Sequence, residues 1–272
     1  MKKFVIMSVV ALTGVFTCVA DTNMSVSAPP SLQSGISETF ASGWVPGTSW
    51  KMVYTKPVMQ SEVYGQWNTP ECPLIKATRL TIWAQNPIEE KGAFTQPAGE
   101  MDYFIGLTGP TLVGVKTLFE VRFIDVGGAN GERVGTFGDK DCLRLRTRLE
   151  YPISLAKDNL LTPSFTWFHV EPVTYRPNVV GDTVCLQLLD EWKPLQWLKL
   201  AANIGFLHDE GVNGGIPADV TSCGMSVGVR LFKKAPECWL VGSIQGYSTI
   251  GSPSNRPYRD FGVASVGVNA KF

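Results

Sequence analysis

Charged and apolar side chains alternate through residues 142–151, and this alternation leaves little choice of local structure. The even positions after Cys142 are all charged, whereas the odd positions are apolar or Thr. The charged residues are Arg144, Arg146, Arg148 and Glu150. A helix would scatter these arginines around its circumference, but a strand places them on one face. The segment therefore predicts a β-strand with one charged face and one apolar face.

Most of the chain after residue 49 has the same character. Residues 197–207 and 223–232 also alternate, and clusters of Gly, Pro, Asn and Asp separate the segments. The strands of a soluble β-sandwich also alternate polar and apolar side chains. Three further features favour a membrane barrel: the segments are about ten residues long, aromatic residues lie near their ends, and short linkers alternate with long ones.

Composition argues against a helical membrane protein and against a strongly charged partner. Hydrophobic residues make up 44% of the chain and charged residues 18%. No run after residue 20 has the eighteen or so apolar residues that a spanning helix needs. Acidic and basic residues balance over the whole chain, so no nucleic-acid partner is expected.

The first twenty residues have the three parts of a secretory signal peptide. Lys2 and Lys3 precede an apolar run from Phe4 to Phe16, and Cys18-Val19-Ala20 offers a cleavage site. We expect cleavage after Ala20, with lipoprotein processing before Cys18 as the alternative. Five cysteines would remain in an oxidising compartment, where one or two disulfides can persist. They are Cys72, Cys142, Cys185, Cys223 and Cys238.

The last strand carries the most specific signal. One face of it holds Ala264, Val266, Val268, Ala270 and the terminal Phe272. This pattern resembles the C-terminal signal that the barrel assembly machinery recognises, which implies that machinery and outer-membrane lipid as partners. The alternative is an ordinary edge strand that happens to end in Phe.

These features together predict a signal peptide at 1–20, a periplasmic extension at 21–48 and an antiparallel transmembrane β-barrel at 49–272. The alternative for residues 21–48 is that some of them supply the first strand. Bacterial barrels of one chain close with even strand numbers. Eleven segments are evident, so we expect twelve strands, obtained by splitting residues 50–67 near Pro57. Merging or dropping a weak segment would give ten.

Three stretches resemble a known family of small barrels. They are SEVYGQW at 61–67, LTIWAQN at 80–86 and GEMDYFIGLTG at 99–109. In these residues the chain is similar to the TorF-like porins. The family's aromatic-Arg-Gly step is replaced here by Val63-Tyr64-Gly65. The resemblance implies a small outer-membrane barrel.

The charged strand and its predecessor supply the candidate site. Residues 113–124 also alternate, and a hairpin would pair them with 142–151. In a membrane barrel the charged faces must point inward, because Arg or Lys at the lipid midplane costs roughly 2–4 kcal/mol. The expected lumen-lining residues are Lys116, Glu120, Arg122, Arg144, Arg146, Arg148 and Glu150.

Two interpretations of this stripe stay open. Five cations against two carboxylates would favour small anionic solutes in a water-filled pore. Alternatively, side chains fill the lumen, and the arginines pair with acids such as Glu171 or Glu191 on the opposite wall, giving a structural or surface-recognition barrel.

The third interpretation is an outer-membrane hydrolase, for which the sequence contains few candidate catalytic residues. His169 and His208 are the only histidines, and neither lies in a sequence pattern typical of serine hydrolases of this membrane. His208-Asp209 opens a loop, where a solvated histidine is the simpler interpretation. No phosphate-binding loop, dinucleotide fingerprint or metal-ligand spacing is present in the mature sequence, so no catalytic residue, metal or cofactor is expected.

Overall fold

A computed structural model describes residues 30–43, 57–88, 99–126, 141–173, 180–210, 217–233, 237–250 and 260–272. These residues form thirteen β-strands. The strands are β1 (Ser31–Ala41), β2 (Val58–Asn68), β3 (Ala77–Pro87), β4 (Glu100–Thr108), β5 (Lys116–Val126), β6 (Cys142–Glu150), β7 (Ile153–Ala156), β8 (Asn159–Pro172), β9 (Gly181–Leu195), β10 (Leu198–Asp209), β11 (Ala218–Arg230), β12 (Glu237–Ile250) and β13 (Phe261–Lys271). Within these ranges no helix has the length and apolarity to cross a membrane.

The strands form a closed antiparallel barrel of twelve strands. Apart from β6 and β7, strands that are neighbours in sequence pair with each other, and β1 pairs with β13 to close the ring. β6 pairs directly with β8, so β7 lies outside the ring and pairs with β8 alone. Full closure leaves no sheet edge in the barrel wall.

The two faces of the wall have opposite polarity. Most of the large apolar side chains that the barrel exposes lie on the outer face, for example Val63, Ile105, Ile204, Met225 and Val266. The buried polar residues are concentrated on the inner face. They include Thr81, Gln85, Asp102, Glu120, Arg144, Thr166, Thr183 and Ser222. A polar interior and an apolar exterior are the reverse of a soluble sandwich and match a barrel that lipid surrounds. The polar faces of the strands therefore point into the barrel and the apolar faces point outward, as the sequence predicted.

The first strand corrects the predicted domain boundary. β1 occupies residues 31–41, inside the predicted extension at 21–48, which agrees with the alternative that part of this segment supplies the first strand. It provides the twelfth strand, so the predicted split near Pro57 is wrong. Its outward face includes the polar residues Ser34 and Glu38, and its inward face is small and polar, so the segment resembles a linker in sequence. The predicted signal peptide lies outside the described residues.

A short hairpin connects the wall strands β6 and β8. Residues 151–162 contain β7, a tight turn at Lys157 and Asp158, and the start of β8. Asp158 has a φ of 120°, in the left-handed region that the turn requires. The barrel therefore carries a short hairpin beyond its wall, at the end where the chain terminates.

The final strand lies as predicted. Its residues Ala264, Val266, Val268 and Ala270 face outward, and the backbone of Phe272 exchanges hydrogen bonds with that of Ser34 at 2.9 and 3.3 Å. Recognition of these five residues by assembly machinery stays a prediction.

Candidate functional site

All seven predicted lumen-lining residues lie on the inward face of β5 and β6. Cross-strand register places Lys116 opposite Glu150, Glu120 opposite Arg146, and Arg122 opposite Arg144. The hairpin pairing predicted from the alternation is therefore present, although the loop at 127–140 lies outside the described residues.

Glu120 is the centre of the charged wall. Its two carboxylate oxygens lie 3.3 Å from Arg122 Nε, 3.4 Å from Arg144 Nη2 and 2.8 Å from Arg146 Nη2. The carboxylate is almost completely buried. One anion thus neutralises part of the charge of three guanidinium groups in a site of low dielectric, where such pairing is strong and its loss is costly.

Two carboxylates of β4 were missed by the sequence analysis. Asp102 Oδ2 lies 2.8 Å from Arg122 Nη1, and Glu100 is on the same inward face. Both are buried. The predicted ratio of five cations to two carboxylates describes β5 and β6, but β4 raises the number of carboxylates on this wall to four. We call Asp102, Glu120, Arg122, Arg144 and Arg146 the arginine cluster.

Aromatic rings hold the guanidinium groups in place. Arg122 Cζ lies 4.0 Å from the centroid of the Phe104 ring, and Arg144 Cζ lies 5.3 Å from that of Phe168. A planar guanidinium can stack on an aromatic face while its nitrogens bind carboxylates. The arginines near the middle of the wall are thus fixed from two sides.

Exposure of these cations increases toward the end of the barrel where the chain terminates. The exposed fraction of the side chain is 7% for Arg144, 16% for Arg122, 22% for Arg146 and 27% for Arg148. Arg148 Nε lies 2.8 Å from Glu150 Oε1. Lys116 is exposed, and no carboxylate of the described residues lies within ion-pair distance of it. The solvent in the lumen therefore meets Lys116, Arg146 and Arg148 more than the other two cations.

The predicted opposite-wall partners do not neutralise the arginines. Glu191 forms an ion pair with Lys199. Glu171 lies on the outer face, where its carboxylate is 3.7 Å from His169 Nε2. The arginines instead pair with carboxylates of their own and adjacent strands.

The wall formed by β10–β13 differs strongly from the charged wall. Its inward positions are mainly small residues, and we call it the small-residue wall: Ala201, Asn203, Gly205, Ser222, Gly224, Ser226, Gly228, Ser243, Ser265 and Gly267. The amides of Asn203 and Gln245 form two hydrogen bonds, of 3.0 and 3.2 Å, across β11. A Cβ atom at Gly224 would collide with the Gln245 amide, so the glycine permits this pair. Short side chains on this wall leave room in the lumen.

Both histidines lie on the outer face, near the end of the barrel opposite the one where the chain terminates. His169 Nδ1 is 2.9 Å from Asp182 Oδ1, and His208 Nδ1 is 2.7 Å from Asp219 Oδ1. Among the residues described, neither imidazole bonds to a serine, threonine or cysteine. Among the residues described, no disulfide joins any two of the five cysteines.

Comparison with known proteins establishes the fold alone. No family model matches the chain, and no curated protein matches it. The similarity to TorF-like porins therefore stays a prediction. An outer-membrane channel from Pseudomonas putida F1 has a similar structure, with 9% sequence identity, a TM-score of 0.54, and coverage of 93% of this chain and 100% of that one.

Two porin structures are also similar. The NanC porin has 7% identity and a TM-score of 0.49, covering 89% of this chain and 100% of its own. The KdgM porin has 7% identity and a TM-score of 0.48, covering 88% and 99%. The fold is that of bacterial outer-membrane barrels, and the polarity of the two faces agrees with that location.

Proposed function

We propose that the protein is a small diffusion channel of the outer membrane that favours anionic solutes. The observation that carries this proposal is the distribution of charge and size around the lumen. Exposed Lys116 and partly exposed Arg146 and Arg148 line one side, and the small-residue wall leaves space on the other. Basic side chains along a water-filled path attract anions and repel cations.

The revised charge balance limits the expected selectivity. Inward residues of β4–β6 carry five cations and four carboxylates, and the carboxylates Glu100, Asp102 and Glu120 are buried among them. A net excess of about one positive charge supports a modest preference for anions. Strict exclusion of cations is not expected.

The test is the reversal potential of the refolded protein in a planar bilayer under a potassium chloride gradient. We expect single-channel steps and a chloride-to-potassium permeability ratio above one. Replacing Arg146 and Arg148 together with Gln should lower that ratio by about two-fold or more. The matched control replaces both with Lys, which keeps the charge and should keep the ratio.

The other interpretations predict different results. A barrel filled by its side chains would give no single-channel steps. A channel whose selectivity is the same with Gln and with Lys at these positions would contradict the role of the arginines. A hydrolase would show an activity that disappears when His169 or His208 is changed.

A further inference from the structure

A second group of inward side chains lies at the barrel closure, apart from the arginine cluster. There the neighbouring strands β12, β13, β1 and β2 line an open cavity of about 350 Å³. Side chains from all four strands line it, including Ser37, Glu62, Tyr64, Trp239, Asn269 and Lys271. This volume is within the range of small-molecule binding sites in proteins. We call it the closure cavity.

Tyr64 is held in a fixed position at this cavity. A Cβ atom at Gly35 would collide with the Tyr64 ring, so only glycine there permits the ring to lie against β1. The Arg79 guanidinium carbon lies 3.7 Å from the ring centroid, and Arg79 also forms an ion pair with Glu62. The cavity is therefore preformed, which reduces the entropy lost when a ligand binds.

Several polar groups of the cavity have no hydrogen-bond or ion-pair partner among the described residues. Within the described part of the chain, no hydrogen bond or ion pair engages the side chains of Ser37, Tyr64, Asn269 or Lys271. Together they offer two hydroxyl groups, one amide and one ammonium group, which supply both donors and acceptors. Such unpaired groups around one preformed cavity are able to bind a ligand that carries many hydroxyl groups.

The charges of the closure cavity balance, unlike those of the arginine cluster. Arg79 neutralises Glu62, and Glu237 lies opposite Lys271 in register while accepting a hydrogen bond of 2.9 Å from Trp239 Nε1. A cavity without net charge does not favour an anion over a neutral molecule. The Trp239 indole adds an aromatic face, whose negative charge density attracts the weakly positive C–H groups of a sugar ring.

From these contacts we infer that the closure cavity binds a neutral sugar, of one or two hexose rings. The indole of Trp239 stacks on the ring, and Asn269, Lys271, Ser37 and Tyr64 hydrogen-bond its hydroxyl groups. This site goes beyond the proposed channel, because binding requires access to the lumen from one end only.

The test measures binding directly, without reference to conductance. The refolded full-length mature protein, in a detergent without a sugar headgroup, is examined by saturation-transfer-difference NMR with methyl α-glucopyranoside and with gluconate as separate probes. We expect transfer to the ring protons of the glucoside and weaker transfer to gluconate. Trp239→Leu and Asn269→Ala should each weaken glucoside binding by about ten-fold. Trp67→Leu, which removes an exposed Trp from the outer face of β2, is the matched control and should leave binding unchanged.

The outcomes separate the sugar site from the channel. Equal transfer in the parent protein and in both cavity variants would overturn the sugar site, as would tighter binding of gluconate than of the glucoside. Folding of each variant is checked by its heat-dependent electrophoretic mobility, and Asn269→Ala keeps the test decisive if Trp239→Leu does not fold. A protein that binds the glucoside but gives no single-channel steps would keep the sugar site and refute the channel.

Discussion

The charged wall and the small-residue wall follow the same alternation but contribute different properties to the barrel. Both present apolar side chains to lipid. Inside, β4–β6 carry long charged side chains that bind one another across strands, whereas β10–β13 carry mainly Gly, Ala and Ser. One wall therefore sets the charge of the lumen and the other sets its width. The difference shows that alternation along a strand determines whether each side chain points inward or outward. It does not determine whether the inner face contributes charge or width to the lumen.

The largest effect is expected from removing the shared carboxylate of the charged wall. Glu120→Gln keeps the shape of the side chain but leaves Arg122, Arg144 and Arg146 without their common anion. Loss of one partner from a buried ionic network typically costs about 3–5 kcal/mol. Urea unfolding in lipid vesicles, followed by tryptophan fluorescence, should show a decrease of that size. A decrease below about 1 kcal/mol would mean that the cluster contributes little to stability.

An arginine introduced into the small-residue wall should lower the unfolding free energy more on the outer face than on the inner face. Met225 is exposed on the outer face of β11, and its neighbour Ser226 faces the lumen. Met225→Arg should lower the unfolding free energy by about 2–4 kcal/mol, because the cation enters the lipid. Ser226→Arg should cost much less, since its guanidinium reaches water. Equal losses of unfolding free energy in the two variants would show that an arginine on the inner face of this wall does not reach water.

The Glu150 end of the charged wall should be far less sensitive than its centre. Glu150 pairs with Arg148, and both side chains are partly exposed, at 34% and 27%. Solvent screens such a pair, so Glu150→Gln should cost only about 0.2–1 kcal/mol in the same unfolding assay. A cost equal to that of Glu120→Gln would remove the distinction between centre and end.

The sequence predicted the orientation of the charged wall because its alternation is complete. Arg144, Arg146 and Arg148 occupy successive inward positions, and their apolar neighbours leave one orientation in a membrane. β1 was predicted only as an alternative, for the opposite reason. Ser34 and Glu38 interrupt its outward stripe, and pairing with β2 and β13 makes residues 31–41 a wall strand.

The partners of the arginines depend on information that alternation does not contain. The spacing in residues 99–104 does place Glu100, Asp102 and Phe104 on one face, and this was the available signal. Contact of Asp102 with Arg122 also requires the β4–β5 register, which the turn at 109–115 determines. The width of the lumen likewise depends on how distant strands such as β1 and β13 meet.

The width of the lumen offers the last test of the two walls. Ser226 lies between Ala201 and Ser243 on the inner face, so Ser226→Phe places a ring where the wall is lined by small side chains. If ions pass along this wall, the single-channel conductance should fall to about half, because a narrower path resists ion flow. Val227→Phe adds the same ring to the lipid face and should leave conductance unchanged. If Ser226→Phe also leaves it unchanged, the ions do not pass along the small-residue wall, and the division of charge and width between the two walls fails.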